Sequence, residues 1–473
     1  LSDILPPSLS SQIQGRVLLL TTCAAGIGGT FQFGYNLSII NAPTLHIQEF
    51  TNETWRARTG RPLPDHLILL VWSLIVSLYP LGGLFGALLA GPLAIVLGRK
   101  KSLLVNNVFV LAAAILFGFS HKAGSFEMIM LGRLLMGVNA GVSMNIQPMY
   151  LGESAPKELR GAVAMTSAIF TALGIVMGQV VGLRELLGSP QDWPLLLSSC
   201  LVPGLLQLVS LPFLPESPRF LLIDRGDTEA CLTALRRLRG GPDVAAELEE
   251  LEKEQAACEG QRPRHPCELF RARALRRQVV SLVVLGSAME LCGNDTVYAY
   301  ASSVFQEAGI PQEKVQYAIL GTGCCELLTA FVSVSPARPG LRPGSGPTAA
   351  EAVKTSVLCV KSLSTPGHPV SVHLLSTSCL PDTHTTLLRC SCGPCFFLVG
   401  LAFPFITEGL SHLLYLPFLC VCVCAAIYAG FFLPETKGKT FLEISEELRR
   451  LNFPKQHREP TWRGLEAIGS TAL

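Results

Sequence analysis

The sequence predicts an all-α, polytopic membrane protein built of two helical bundles, the second of them incomplete. Three observations carry that prediction. Of the 473 residues, 49% are apolar and only 15% charged, and the mean hydropathy is +0.42, which leaves too little polar surface for a water-soluble globule. Apolar windows of about 20 residues, the length a helix needs to cross the hydrocarbon core, recur along the chain. Lys and Arg gather in alternate connections between these windows, which fixes the direction of each span. The net charge of +2 is too small to point to nucleic acid or another polyanion.

Taken in order, residues 1–15 form a cytoplasmic N-terminus. They lack the basic start, apolar core and small-residue cleavage site of a removable leader, so the first span is expected to act as its own signal. Residues 16–214 hold six spans, at about 17–40, 67–97, 102–120, 125–151, 161–183 and 194–214. Arg99, Lys100 and Lys101 follow the second, Lys157 and Arg160 the fourth, and Arg219, Arg225, Arg236, Arg237 and Arg239 the sixth. Even-numbered spans therefore end in the cytoplasm. The connection from Ile47 to Asp65 is then an outside loop, and its Asn52-Glu53-Thr54 is the expected glycosylation acceptor. Two further triplets, at Asn36 and Asn294, fall inside spans.

Residues 215–276 form a cytoplasmic linker, with helical rhythm over Ala230–Leu238 and Ala246–Ala257. Residues 277–334 supply two more spans, at 278–306 and 314–334. The pattern then fails. Residues 335–395 are rich in Pro, Gly, Ser and Thr and contain no apolar window, so they cannot satisfy their backbone groups in lipid. Residues 396–433 carry the last two spans, one of them short, and 434–473 form a cytoplasmic tail. The total is about ten.

The 16 cysteines do not read as a disulfide framework. Cys23, Cys200, Cys324, Cys325, Cys420, Cys422 and Cys424 lie in apolar runs, where Cys behaves as a small hydrophobe, and most are expected to be buried free thiols. Cys390, Cys392 and Cys395 lack the paired spacing and His set of a metal site. No metal or cofactor is expected, no enzyme motif is present, and nothing in the sequence selects an oligomeric state.

Polar side chains stranded within apolar helices mark the candidate substrate site, because their burial in lipid is costly. They are Gln32 and Asn36 in the first span, Gln179 in the fifth, Glu290, Asn294 and Asp295 in the seventh and Glu326 in the eighth. Polar contacts between packed helices are the alternative role for each. Glycines such as Gly26, Gly28, Gly29, Gly82, Gly83 and Gly86 are read as close-packing positions.

Five short motifs stand in order on the expected cytoplasmic side or within the spans. They are Gly98-Arg99-Lys100-Lys101; Gly132-Arg133 with Gly137; Pro148-x-Tyr150-x-x-Glu153 with Arg160-Gly161; Pro215-Glu216-Ser217-Pro218-Arg219; and Pro434-Glu435-Thr436-Lys437-Gly438. With Gln32-Phe33-Gly34-Tyr35-Asn36 and Asn41-Ala42-Pro43, the chain resembles the facilitative hexose transporters of the major facilitator superfamily, over residues 15–334 and 396–465. The resemblance implies a twelve-span major facilitator fold, of which two spans and a second Gly-Arg-Arg loop are missing here. It implies uniport of hexose, glucose or fructose, through a lipid bilayer by alternating access. The family's amides fall on Ala168, Met289, Glu290, Asp295 and Glu326, all of them acidic or apolar here, while Gln179 matches a Gln lining the same cavity. Arg99, Glu153, Arg160, Glu216, Arg219 and Glu435 would form a conformational latch. The segment 335–395 then reads as an alternative translation set between two family stretches. A transport-incompetent variant is one alternative function. A proton-coupled sugar symporter is another, weakened by the absence of any Asp or Glu between Gly15 and Asn41.

Overall fold

The computed structural model describes residues 16–156, 159–240, 244–258, 300–307 and 309–334, with isolated positions between 280 and 298 and short stretches between 394 and 428. Helix α1 (Arg16–Gly28) and α2 (Thr30–Ser38) form the first span, which ends in a 3-10 turn, Ile39–Asn41. The expected single helix is broken at Gly29, whose ψ of −105° leaves the helical region. The Gly28-Gly29 pair allows that break because neither residue resists a change of backbone path.

Helix α3 (Thr44–Thr59) replaces the expected outside loop. Its sequence is too polar for an apolar window, yet Ile47, Phe50, Thr51 and Thr54 are buried at helical spacing, and Gly60 ends it at φ +72°. Helices α4 (Asp65–Leu97), α5 (Arg99–Ala123), α6 (Phe126–Ser154) and α7 (Arg160–Val181) are the second to fifth spans. The sixth is split into α8 (Trp193–Ser198) and α9 (Leu201–Ser210), followed by a 3-10 turn, Leu211–Phe213.

Five of these segments, Arg16–Asn41, Asp65–Leu97, Arg99–Ala123, Phe126–Ser154 and Trp193–Phe213, are long and apolar enough to cross a bilayer, and α7 adds the shorter apolar stretch Thr166–Val181. Their outward faces are as apolar as their cores. On α5 the exposed residues are Val105, Val108, Leu111, Ile115 and Phe119, one stripe that water would not tolerate and lipid would. Cys324, Cys325, Cys420 and Cys424 are also exposed, which corrects their expected burial.

Inside the first bundle, glycine sets the helix spacing. A Cβ on Gly137 of α6 would lie 2.0 Å from the Tyr79 carbonyl of α4, and one on Gly82 of α4 would lie 2.1 Å from the Leu134 carbonyl of α6. The two backbones therefore touch, as small residues permit in lipid, where packing rather than water exclusion holds helices together. Gly34 of α2 and Gly174 of α7 make a second such crossing, each facing a carbonyl of the other helix at 2.1 and 2.2 Å. The packing role expected of the span glycines is seen at Gly82 and Gly86, while Gly83 has more room.

The described part of the linker holds α10 (Thr228–Arg239) and α11 (Ala245–Cys258). The Asp227 side chain accepts from the Ala230 N–H at 2.9 Å and caps α10, and Cys231, Leu235 and Leu238 bury its apolar face. Burial pushes the Cys231 thiol up to about 11, so it stays protonated. Beyond the linker the described helices are α12 (Ala301–Glu307) and α13 (Gln312–Val334), at the positions expected for the end of the seventh span and for the eighth; α13 is not among the segments apolar enough to cross a bilayer. Residues 397–403 are helical, in the expected eleventh position, while 335–393 and 429–473 lie outside the described residues.

Candidate functional site

The first bundle absorbs two of the predicted substrate residues. Gln32 donates its amide N–H to the Cys200 carbonyl at 2.7 Å, and Asn36 donates to the Gln32 carbonyl at 2.9 Å. The Asn36 carbonyl in turn accepts from Arg133 at 2.9 Å, and that guanidinium lies 4.5 Å over the Tyr79 ring. Arg133 is fully buried, and hydrogen bonds plus an aromatic face compensate its charge. The Gln32 side chain thus ties the first span to the sixth, whereas the Asn36 side chain bonds within its own helix and only its backbone carbonyl reaches the fourth.

Gln179 sits elsewhere. It ends a buried stripe on α7, Ala168, Ala172, Ile175 and Gln179, spaced to lie on one helix face. There α7 meets α13, the seam between the bundles. A Cβ on Gly323 would fall 2.2 Å from the Gln179 amide oxygen, so any larger residue there would push this side chain aside. The Gln179 Oε1 is buried and has no hydrogen-bond partner among the described residues. Glu326 lies one turn further along α13, half-buried and therefore on the face that carries Gly323. An unpaired amide acceptor beside a carboxylate is a place for hydroxyl donors. Met289, Glu290, Asn294 and Asp295 lie outside the described residues. Ala168, expected to stand where the family has an amide, occupies the same stripe as Gln179, about three turns away.

Two further polar residues belong to this interior. Asn145 and Gln147 on α6 are buried, and the carbonyl oxygen of each lacks a partner among the described residues; Gln147 donates to the Ser167 hydroxyl on α7 at 3.2 Å. Both satisfy the criterion that selected the others, polar side chains within an apolar span, and the sequence reading passed over them.

At the end of the bundle away from the linker, contacts among the described residues join and flank the seam. Asn41 donates to the Tyr298 carbonyl, Tyr300 donates to the Gly400 carbonyl at 2.9 Å while stacking on Phe403, and Tyr317 bonds Glu185 at 2.9 Å. Tyr300 and Phe403 join the aromatic core of the first bundle.

The opposite end carries a ring of charge. Gly98 joins α4 to α5 at φ +89°, and a Cβ there would meet the Phe220 ring at 2.6 Å and a Glu216 oxygen at 2.9 Å. Arg99 is 2% exposed. Its guanidinium pairs with Glu153 at 3.0 Å and with Asp224 at 2.7 Å, and lies 5.0 Å over Phe220. Glu153 also accepts from the Ser217 hydroxyl at 2.5 Å. Glu216 accepts from the N–H groups of Lys100 and Ser217 at 2.9 and 3.0 Å, and Arg219 pairs with Glu254 at 2.9 Å. Asp224 and Glu254 are partners that the sequence reading missed. Arg160 opens α7, but its side chain and Glu435 lie outside what is described. The ring ties α4, α5 and α6 to the linker.

Comparison with known proteins agrees with this architecture. The profile of the family described as Sugar (and other) transporter matches residues 20–338 and 387–448. The human protein Solute carrier family 2, facilitated glucose transporter member 11 is 71% identical over 494 aligned residues, covering 98% of this chain and all of the relative. Human member 5 is 40% identical, covering 93% and 94%, and human member 9 is 37% identical, covering 93% and 87%. Among solved structures, the proton:xylose symporter XylE bound to 6-bromo-6-deoxy-D-glucose superposes with a TM-score of 0.72 at 19% identity, over 91% of this chain and 98% of that one. The partially occluded, inward-open form of the xylose transporter from E. coli gives 0.66 at 21%, over 89% and 99%. At such identities the likeness defines the fold, the major facilitator fold. The profile match over most of the chain, together with its long apolar helices, defines a multi-pass membrane transporter. The chain belongs to the sugar transporter family, in its solute carrier family 2 branch.

Proposed function

We propose that this chain carries a hexose, glucose or fructose, across the plasma membrane by alternating access, down its gradient and without ion coupling. The observation that carries the reading is the Gln179 carbonyl, buried and unpaired beside Gly323 where the bundles meet. A hydroxyl-rich solute supplies the donors such a group lacks. The names of the relatives, facilitated glucose transporters, support the same substrate class. Uniport is favoured over proton symport because the first span holds no acid, and its interior amides Gln32 and Asn36 are already hydrogen-bonded within the first bundle.

Alternating access needs a seam that opens at one end while it closes at the other. The contacts of Asn41 and Tyr317 join the two bundles at the end away from the linker. The ring around Arg99 would be the first bundle's share of a latch at the other end, with Arg160 and Glu435 as further members, and the N- and C-termini would both be cytoplasmic. Uptake of radiolabelled glucose and fructose into proteoliposomes, with and without a proton gradient, tests the reading. Saturable uptake indifferent to the gradient supports it, and uptake that needs the gradient overturns the uniport assignment.

A second reading, a transport-incompetent variant, is favoured by one observation. The family profile leaves residues 339–386 unmatched, inside the stretch where no apolar window is found. The same uptake assay distinguishes the two when the chain is compared with a version carrying ordinary family helices in that stretch.

A further inference from the structure

We propose that Gly323 is a positioning residue for the seam: its missing side chain sets how far the Gln179 carboxamide reaches across from α7, and thereby how tightly a hexose is held. The inference rests on the proposed function, in which the Gln179 carbonyl oxygen takes a hydrogen bond from the sugar. A Cβ built on Gly323 would lie 2.2 Å from that oxygen, 3.0 Å from the amide carbon and 3.2 Å from the amide nitrogen. All three atoms belong to the far end of one side chain. The space a methyl group would fill is therefore the space the carboxamide occupies.

Helix packing does not by itself demand a glycine there. Gly82 and Gly137, like Gly34 and Gly174, face backbone carbonyls of a neighbouring helix, which cannot swing away, so those residues fix helix spacing. The atoms nearest to a Cβ on Gly323 can rotate aside. Its backbone makes no demand either, since Gly323 lies within α13 without a positive φ, and alanine is the better helix former. Gly28 of α1 offers similar room to Gln207, whose amide carbon would lie 2.1 Å from a Cβ, but the Gln207 carbonyl oxygen already accepts from the Asn107 amide at 2.8 Å. That pair serves packing. The Gln179 side chain is buried and its oxygen has no hydrogen-bond partner among the described residues, so the seat that Gly323 gives it acts on the donor that enters the seam.

The test measures initial rates of radiolabelled glucose and fructose uptake into proteoliposomes holding the full chain, with KM and kcat taken separately. Binding of the same sugars, read from the thermal midpoint in detergent, carries the comparison for any variant that turns over poorly. Gly323→Ala should raise KM about tenfold, as the loss of one hydrogen bond to a hydroxyl implies, and leave kcat near the wild-type value. Gly321→Ala, in the same helix with nothing within 4 Å of its added Cβ, should change neither. In Gln179→Asn, whose carboxamide is one methylene shorter and clears the methyl group, adding Gly323→Ala should raise KM less than about twofold, the non-additivity expected of two groups in contact. An unchanged KM in Gly323→Ala overturns the proposal, as does a full tenfold rise in the Gln179→Asn background. Loss of folded protein in Gly323→Ala also overturns it, since packing would then demand the glycine. A wild-type chain that neither binds nor passes a hexose sinks the proposed function itself, a result distinct from a working transporter whose two residues act independently.

Discussion

At the scale of single residues, the sharpest contrast is between polar groups that are bonded and polar groups that wait. Gln32 spends its amide on Cys200, and its replacement would loosen the bundle. Gln179 leaves a buried carbonyl oxygen without a partner among the described residues, at the seam where a solute hydroxyl could supply one. Gln179→Leu should therefore lower hexose kcat/KM about tenfold, the value of roughly one lost hydrogen bond to a hydroxyl, with surface expression unchanged. Uptake at wild-type level in that variant would remove Gln179 from the site. Gly98 makes a structural counterpart. Its φ of +89° and its contact with Phe220 and Glu216 leave no room for a side chain. Gly98→Ala should cost about 1–3 kcal/mol from backbone strain alone and lower the detergent melting temperature, an effect that a thermal-shift assay reads directly. The sequence marked this glycine as part of a motif, while its geometric necessity came only from the fold.

At the scale of elements, apolar length was a sufficient guide to α4, α5, α6 and α7, because a span in lipid must be both long and apolar. The same rule explains the failures. It cannot see a one-residue break inside an apolar run, so Gly29 was passed over, and it cannot see α3, whose buried face is carried by Ile47 and Phe50 among polar neighbours. The α4 and α6 crossing rests on backbone contact at Gly82 and Gly137, so Gly137→Val must push the helices apart. We expect that variant to lose the folded, monodisperse fraction on size-exclusion chromatography, whereas Gly152→Ala, with open space around it, should behave as wild type. Helix α3 also carries the glycosylation triplet. Asn52 is half-buried and its side-chain oxygen accepts from the Leu63 N–H at 2.9 Å, while its amide nitrogen, the acceptor atom for a glycan, is left for modification. Asn52→Gln should abolish a glycosidase-sensitive band shift in cells, and a shift that persists would move the glycan elsewhere.

At the scale of the whole molecule, the chain is one bundle described over most of its length and a second described in part, joined by a helical linker that grips the first through the Arg99 ring. That much was legible as charge on alternate connections and as motifs in order. Which amides serve the seam and which serve packing was not, because sequence shows that a side chain is polar and buried but not what it faces. Asn145 and Gln147 show the other side of this limit, since the same criterion would have selected them and only the fold brings them to notice. The account stands on the claim that the seam beside Gln179 and Glu326 admits a hexose as the bundles tilt. Its most direct measurement is bidirectional flux of radiolabelled hexose through proteoliposomes holding this chain with ordinary helices in place of residues 335–395. The account predicts saturable flux in both directions that competing unlabelled glucose or fructose reduces; a correctly inserted protein that passes neither sugar in either direction would contradict it.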